Sequence, residues 1–533
     1  MRDYRRILVI TAILLGSACL RLVNLGSQGL FFDEAWSWSA SRLNFAGLYH
    51  LTLSDPHPPL YYLLLKLLFL VIPDTHFGLR LLSAVFSMAG LALVLVFVSS
   101  RWNIETTIYV GLLAGLSPFD IYYAQEARMY ALLAFLWVAS YIGLVKALEG
   151  ERRYWFLWAI PVILMAWTHF YGVIVAYTMA GMAIVWGGSG GDGHPGVLYP
   201  PPPLRVREWF RWGARRAPAR AAIAAAVCVV IIALPPLVLA LKNVAQDAGG
   251  AWIPVPRDLS ALFKLVSAGL APVRAYFLDG AHLVLPSLAA VPASAWIAAG
   301  LAVSGLPAVW GLVCAWRMGK SRRVEVQLAV LLVLLPAALV FGYGVITTRR
   351  VWAFKPFLGA AILFYLWAGI GIGAIRSRLL RRCLGAASVL LALASLWPYY
   401  TTWQKSDAAS AFHALPVQAA QAGVIIQPPY RSTLAFYYLG ETVPVYGLTA
   451  GEADASQPPA YPGEAYTLFR IMPPRQDEFD LRQPVPCEAL PPGADLWVYG
   501  SVERIGEVSQ KWPACVTERR LWVYLDNEWQ PLK

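Results

Sequence analysis

Apolar residues run along this chain in blocks of about 15 to 22, separated by short polar stretches, and a helix of that length crosses the roughly 30 Å of a bilayer's hydrocarbon. The blocks predict about eleven transmembrane helices, over residues 7–22, 79–98, 106–118, 129–145, 154–170, 173–186, 221–241, 296–316, 326–346, 356–375 and 384–397. Residues 60–72 do not fit that series. This stretch is too short to cross comfortably, carries Lys66 in its middle and closes at Pro73-Asp74, so it reads as a re-entrant or interfacial helix. From about residue 401 the pattern changes to short apolar runs at 423–426, 444–446, 495–499 and 521–525, set among Pro-rich polar stretches, and these predict a small mixed α/β domain. The expected fold class is an all-α polytopic membrane protein over 1–400, with interfacial or re-entrant helices, followed by a soluble α/β domain over 401–533.

Charge orients the series. Arg2, Arg5 and Arg6 precede the first block, whose end at Cys19-Leu20-Arg21-Leu22 offers no small-x-small cleavage site, so it reads as a signal anchor with a cytoplasmic N-terminus. Counting onward, the basic loops fall on the same side: Arg205, Arg207, Arg211, Arg215, Arg216 and Arg220, then Arg317 to Arg323, then Arg376 to Arg382. Parity puts the C-terminal domain outside the cytoplasm, and the expected location is the plasma (inner) membrane.

Composition agrees with lipid as part of the solvent: 58% of residues are hydrophobic and 14% charged, against roughly 25% charged in soluble domains. The formal charge of +12 does not indicate nucleic acid, because the basic residues cluster between apolar blocks as topology determinants. Cys19, Cys228, Cys314 and Cys383 lie in or beside apolar segments without metal-ligand spacing and read as packing residues. Cys487 and Cys515 fall in the polar C-terminal region, where a disulfide requires an oxidising compartment.

Three clusters on the expected outer side carry candidate chemistry. The first joins Asp33-Glu34, beside aromatic residues, to His57 between prolines: adjacent acids can supply a general base or hold a metal, and a solvated acidic loop is the plain alternative. The second runs from Asp120 through Glu126, Arg128 and Tyr130; an arginine at a helix mouth suits a phosphate, since its planar fork matches phosphate oxygens, although a snorkelling arginine in an aromatic belt has the same pattern. The third is Arg349, Arg350 and Lys355 before Pro356, a compact run of cations that opposes the positive-inside bias and therefore points to an anionic ligand, with head-group anchoring as the alternative. His169 lies near an outer helix end, where packing is the simpler role for a histidine.

Asp33-Glu34, His57-Pro58-Pro59-Leu60 and Gln125-Glu126-Ala127-Arg128-Met129-Tyr130, in that order, resemble the GT-C superfamily of polyprenyl-phosphate-sugar-dependent glycosyltransferases. The branch most similar holds protein O-mannosyltransferases and lipid A aminoarabinose transferases, and the resemblance covers roughly residues 1–400. It implies a donor sugar on polyprenyl phosphate, with Asp33 as the base that deprotonates an acceptor hydroxyl, Glu34 orienting or assisting it, and inversion at the anomeric carbon. Arg128, Arg349, Arg350 and Lys355 would bind the leaving phosphate, and His57, Glu126 and Tyr130 would line the substrate pocket. A divalent metal is left open, with Asp33 and Glu126 as candidate ligands, and no other cofactor is implied. The implied partners are the bilayer, the lipid-linked donor and an acceptor glycan, lipid or protein. A transporter or flippase for a lipid-linked anion is the competing reading. The expected spans carry no Asp, Glu, Lys or Arg near their centres, where ion-coupled carriers place ionisable residues, and this favours an enzyme working at the membrane surface.

Overall fold

The computed structural model describes residues 2–54, 57–150, 153–187, 217–245, 298–351, 353, 355–401, 405–416, 419, 422–427, 431–440, 443–450, 466–471, 482–484, 490, 494–500, 512, 516, 518–525 and 528–531. The arginine-rich loop at 205–216, most of the expected outer loop at 242–294, and Cys487 and Cys515 lie outside the described residues.

The chain divides into two compact units. The first comprises Met1–Leu25, Thr52–Leu64 and Arg80–Trp403, and the second Gly26–Leu51, Leu65–Leu79 and Gln404–Lys533.

The first unit is helical. Its elements are α1 (Arg2–Leu22), most of α5 (His76–Arg101), α6 (Ile104–Gly115), the short α7 (Pro118–Ala124), α8 (Tyr130–Leu148), α9 (Arg153–Ala166), α10 (Phe170–Gly187), α11 (Ala217–Ile232) and α12 (Leu234–Ala245). After a π-helical turn at Leu301–Gly305 come α13 (Leu306–Arg317), α14 (Lys320–Thr347), α15 (Leu358–Ala374) and α16 (Arg378–Thr401). Among the described residues seven helices are long and apolar enough to cross a membrane, and an eighth crossing follows if α11 and α12, bent by 41° at their break, act as one span. The helices themselves thus supply seven or eight of the eleven crossings expected. The others fall short in different ways: α6 and α9 have only 12 and 14 residues, and α1 carries Arg2, Asp3, Arg5, Arg6 and Arg21. Residues 60–72 hold the nine-residue α4 (Leu60–Leu68), too short to span.

Close packing centres on α15. In Gly369-Ile370-Gly371-Ile372-Gly373 the glycines face two neighbours: a Cβ on Gly371 would collide with the Pro307 carbonyl of α13, and one on Gly369 or Gly373 with Val110 or Thr106 of α6. Between apolar helices in lipid there is little hydrophobic driving force, so small residues that let backbones approach supply the attraction through dispersion. Outward faces, in contrast, expose large apolar side chains such as Leu15, Phe156, Ile346 and Leu390.

At one end of the unit, Arg101 bonds Glu149 and, at 2.7 Å, Glu325, which also accepts from Arg322 at 2.8 Å. The network ties the ends of α5, α8 and α14 together. Stacking of Arg101 over Phe97 and Arg322 over Trp102 covers the guanidinium faces.

The second unit contains α2 (Phe32–Arg42), the body of α3 (Phe45–Ser54), α17 (Ala408–His413), α18 (Ser432–Leu439) and a seven-stranded sheet. The strands are β1 (Val424–Gln427), β2 (Val445–Ala450), β3 (Tyr466–Ile471), β4 (Arg482–Pro484), β5 (Leu496–Gly500), β6 (Leu521–Leu525) and β7 (Glu528–Pro531), in the order β4-β3-β2-β1-β5-β6-β7. The central pairs β2–β1, β1–β5 and β5–β6 are parallel and the outer pairs antiparallel. Central parallel strands are covered on both faces, which explains why Val424-Ile425-Ile426 and Leu496 to Tyr499 are unbroken buried runs with no alternation. The four apolar runs noted in the sequence become β1, β2, β5 and β6.

Candidate functional site

In the first unit the second sequence cluster folds around Arg128. Ser117 caps α7 by accepting from the Asp120 N–H at 3.2 Å, and α7 ends at Gln125, whose side-chain amide donates to the Arg21 and Val23 carbonyls. The chain then turns through Glu126, Ala127 and Arg128, all buried, before α8 starts at Tyr130. Ser83 holds the turn by donating to the Arg128 carbonyl at 3.1 Å, and the Tyr61 hydroxyl lies 2.9 Å from the same serine oxygen.

The Arg128 guanidinium reaches Tyr62 Oη at 3.4 Å and His57 Nε2 at 3.5 Å. Both contacts lie at the long end of hydrogen-bond distance. His57 is held edge-on to His169, with ring centroids 5.2 Å apart, and His169 in turn stacks on Phe170 at 4.5 Å and lies 5.9 Å from the Tyr130 ring. His169 sits in the turn between α9 and α10. Its burial first, then the neighbouring His57 and Arg128, hold its pKa well below the usual 6.5, so it is neutral at neutral pH. Its Nδ1 accepts from the Tyr171 N–H at 3.1 Å, which leaves Nε2 as the protonated nitrogen.

The third cluster approaches through Tyr171. Its hydroxyl donates to the Val351 carbonyl and accepts from the Ala353 N–H at 2.8 Å, fixing the stretch that follows α14. Thr348, in the left-handed region at φ 55°, turns the chain out of α14; such a conformation costs a β-branched residue about 1–2 kcal/mol and is held by its surroundings. Arg349 and Arg350 are half-buried in this stretch, and Lys355 Nζ lies 5.7 Å from the centroid of the Tyr130 ring. The first unit therefore brings His57, Arg128, Tyr130 and Lys355 into one connected group, with Glu126 two residues before Arg128. Tyr62, His169 and Tyr171 join that group and were not singled out as site residues from sequence. The signal present was Thr168-His169-Phe170-Tyr171, polar groups where an apolar run ends.

In the second unit, Asp33 and Glu34 occupy the first turn of α2. Glu34 accepts from the Phe31 N–H at 3.0 Å, capping the helix, and pairs with Lys405 Nζ at 3.0 Å. Both side chains of this pair are almost wholly buried, at 0% and 3% exposure. Asp33 is half-buried beside it, and its backbone carbonyl accepts from Ser37 Oγ. Lys66 Nζ closes the other end of α2 by donating to the Leu43 carbonyl at 2.8 Å, which accounts for a lysine in the middle of an apolar run.

Among the described residues no group of three or more His, Cys, Asp or Glu could hold a metal ion.

No family model and no curated protein matches the sequence. Among solved structures, the chain is similar to ArnT from Cupriavidus metallidurans bound to undecaprenyl phosphate, at 13% identity and a TM-score of 0.50 over 84% of this chain and 86% of that one. It is similar to ArnT of the same organism in the apo state at 12% identity and a TM-score of 0.49, over 86% and 87%. The oligosaccharyltransferase of Archaeoglobus fulgidus in the apo form gives 13% identity and a TM-score of 0.45, over 98% of this chain and 64% of that one. The first likeness is one of fold.

Proposed function

We propose that this GT-C fold serves a membrane glycosyltransferase that moves a sugar from a polyprenyl phosphate to an acceptor hydroxyl at the extracytoplasmic face, with inversion. The observation that carries the reading is Arg128: a buried guanidinium at a helix mouth, with long contacts to Tyr62 and His57 and a neutral His169 close by. A buried cation of this kind is suited to a phosphate that arrives with its lipid tail in the bilayer. The lipid named with ArnT, undecaprenyl phosphate, supports the same donor class.

In the proposed reaction Asp33 takes the proton from the acceptor hydroxyl, whose oxygen attacks the anomeric carbon as the bond from that carbon to the phosphate oxygen breaks. The electron pair leaves with polyprenyl phosphate. Negative charge grows on that group in the transition state, so Arg128, with Arg349, Arg350 and Lys355, stabilises the transition state more than the bound donor. His57, Glu126 and Tyr130 shape the pocket. Glu34, fixed by Lys405, positions the turn that carries Asp33. Residues 1–400 hold the membrane part and 401–533 the extracytoplasmic domain, in the plasma membrane with the N-terminus inside.

The test is transfer by the purified full chain in lipid nanodiscs, supplied with polyprenyl-phosphate sugars and candidate acceptors. Asp33→Asn should abolish turnover while donor binding persists, and Arg128→Ala should lower kcat/KM for the donor tenfold or more, chiefly through kcat, as loss of a charge-assisted contact of about 1.5–3 kcal/mol in the transition state requires. Undiminished transfer by Asp33→Asn, or movement of the donor lipid across the bilayer without transfer, would sink the reading.

A further inference from the structure

The second unit contains a cavity of about 540 Å³ that the proposed donor chemistry does not use. It is lined from five separate stretches: Gly26, Trp38 on α2, the turn Asp74 to Phe77 that enters α5, His413 at the end of α17, and Tyr437 and Tyr438 on α18. Its size falls in the range of small-molecule sites, about 300–1,000 Å³.

The walls are rings locked against one another. Tyr437 stacks on His76 with centroids 5.4 Å apart and meets the Trp38 ring at 5.1 Å, and Tyr438 crosses both His76 and His413 at 5.7 Å. Hydrogen bonds fix the same groups: Tyr438 Oη accepts from the Leu30 N–H at 2.8 Å and lies 3.2 Å from His76 Nε2, and Tyr437 donates to the Asp74 carbonyl at 3.3 Å. One carboxylate joins them. Asp74 Oδ2 accepts from Trp38 Nε1 at 2.9 Å and from Arg42 at 3.2 Å, while Oδ1, on a side chain 45% exposed, has no hydrogen-bond partner among the described residues.

This chemistry selects its ligand. Among the described residues no lysine or arginine lines the cavity, and the nearby Arg42 is already paired with Asp74, so a phosphate or carboxylate would meet the Asp74 carboxylate without a cation of its own. A wholly apolar ligand would strip water from Asp74, His76 and His413 and return no hydrogen bonds, a loss of a kind that recognition sites avoid. A pyranose ring satisfies both demands, with C–H faces for the aromatic walls and hydroxyls for Asp74 Oδ1 and the imidazoles. Trp38 also lies five residues from Asp33 on the same helix, about 7.5 Å along its axis.

We propose that this cavity holds a sugar ring of the acceptor, so that the acceptor class is carbohydrate. The acceptor role, unlike the ligand class, rests on the transferase reading above.

The experiment is saturation-transfer NMR on the full chain in nanodiscs, using methyl glycosides of glucose, galactose, mannose and N-acetylglucosamine as probes, followed by transfer assays with the same compounds and with a peptide acceptor. At least one glycoside should bind, with Asp74→Ala weakening it about tenfold or more and Trp38→Phe, which keeps a ring but loses the indole N–H, weakening it several-fold. Asp74 is partly exposed, so its variant should fold; size-exclusion behaviour equal to wild type checks this, and Asp74→Asn, which keeps the shape, should weaken binding in the same direction. No binding by any probe, or binding unchanged in both Asp74 variants, overturns the cavity assignment. Transfer onto the peptide and onto none of the glycosides overturns the acceptor class while the transferase reading stands. Glycoside binding without transfer from any donor overturns the transferase reading and upholds the cavity's ligand class.

Discussion

The buried pair Glu34–Lys405 joins residues 371 positions apart, and neither side chain meets solvent to any useful extent. Breaking such a pair leaves a buried charge uncompensated, at about 3–5 kcal/mol. Glu34→Gln, which can still accept from the Phe31 N–H, should therefore lower thermal stability sharply, and adding Lys405→Met should recover part of the loss; a melting temperature for Glu34→Gln equal to wild type would contradict the assignment. His169 gives a pH-dependent counterpart. Its folded pKa lies below the unfolded value of about 6.5, so the unfolded chain binds the extra proton first and stability is full above that value. Stability should decline as the pH drops beneath 6.5 toward the folded pKa, and His169→Gln should flatten that decline in unfolding measured across pH 5–8. The sequence showed Glu34 beside Asp33 and could not show Lys405 against it. It likewise showed His169 at the end of an apolar run, where packing was the simpler expectation, because the neighbours that surround the ring come from other parts of the chain.

Among the helices, α15 depends on its glycines for contact with two partners at once. Gly371→Leu should separate α15 from α13, because the nearest atoms are backbone and have no rotamer to yield. The expected result is loss of monodisperse protein on extraction, whereas Gly342→Ala, on α14 with nothing within 4 Å of an added Cβ, should extract as wild type. Equal behaviour of the two variants would refute the packing role. Element existence was legible because helical rise and apolar length are local properties: the long blocks at 79–98, 129–145 and 326–346 all emerged as helices, His76–Arg101, Tyr130–Leu148 and Lys320–Thr347. The Gly-rich run was equally visible, but which helices it would face depends on how the chain returns, and local pattern does not contain that.

For the molecule as a whole, the grouping of Gly26–Leu51 and Leu65–Leu79 with Gln404–Lys533 has a direct consequence. Deleting residues 404–533 removes Lys405 and the α18 tyrosines that line the cavity with Trp38 and Asp74, so the remaining early segments lose the unit to which they belong. The truncated chain should aggregate on size-exclusion chromatography, and a stable, monodisperse product would count against one cooperative unit. By itself the sequence determined a helical membrane protein, the runs that form the central strands, and the residue types from which a phosphate site could be built, since hydropathy, periodicity and charge act over a few turns of chain. Only the tertiary structure decided that His57, Arg128 and His169 meet, that Glu34 is clamped by a lysine hundreds of residues away, and that aromatic residues from four distant stretches line one open cavity. Those outcomes depend on which buried groups find partners in space, a property of the packed whole that no short window of sequence carries.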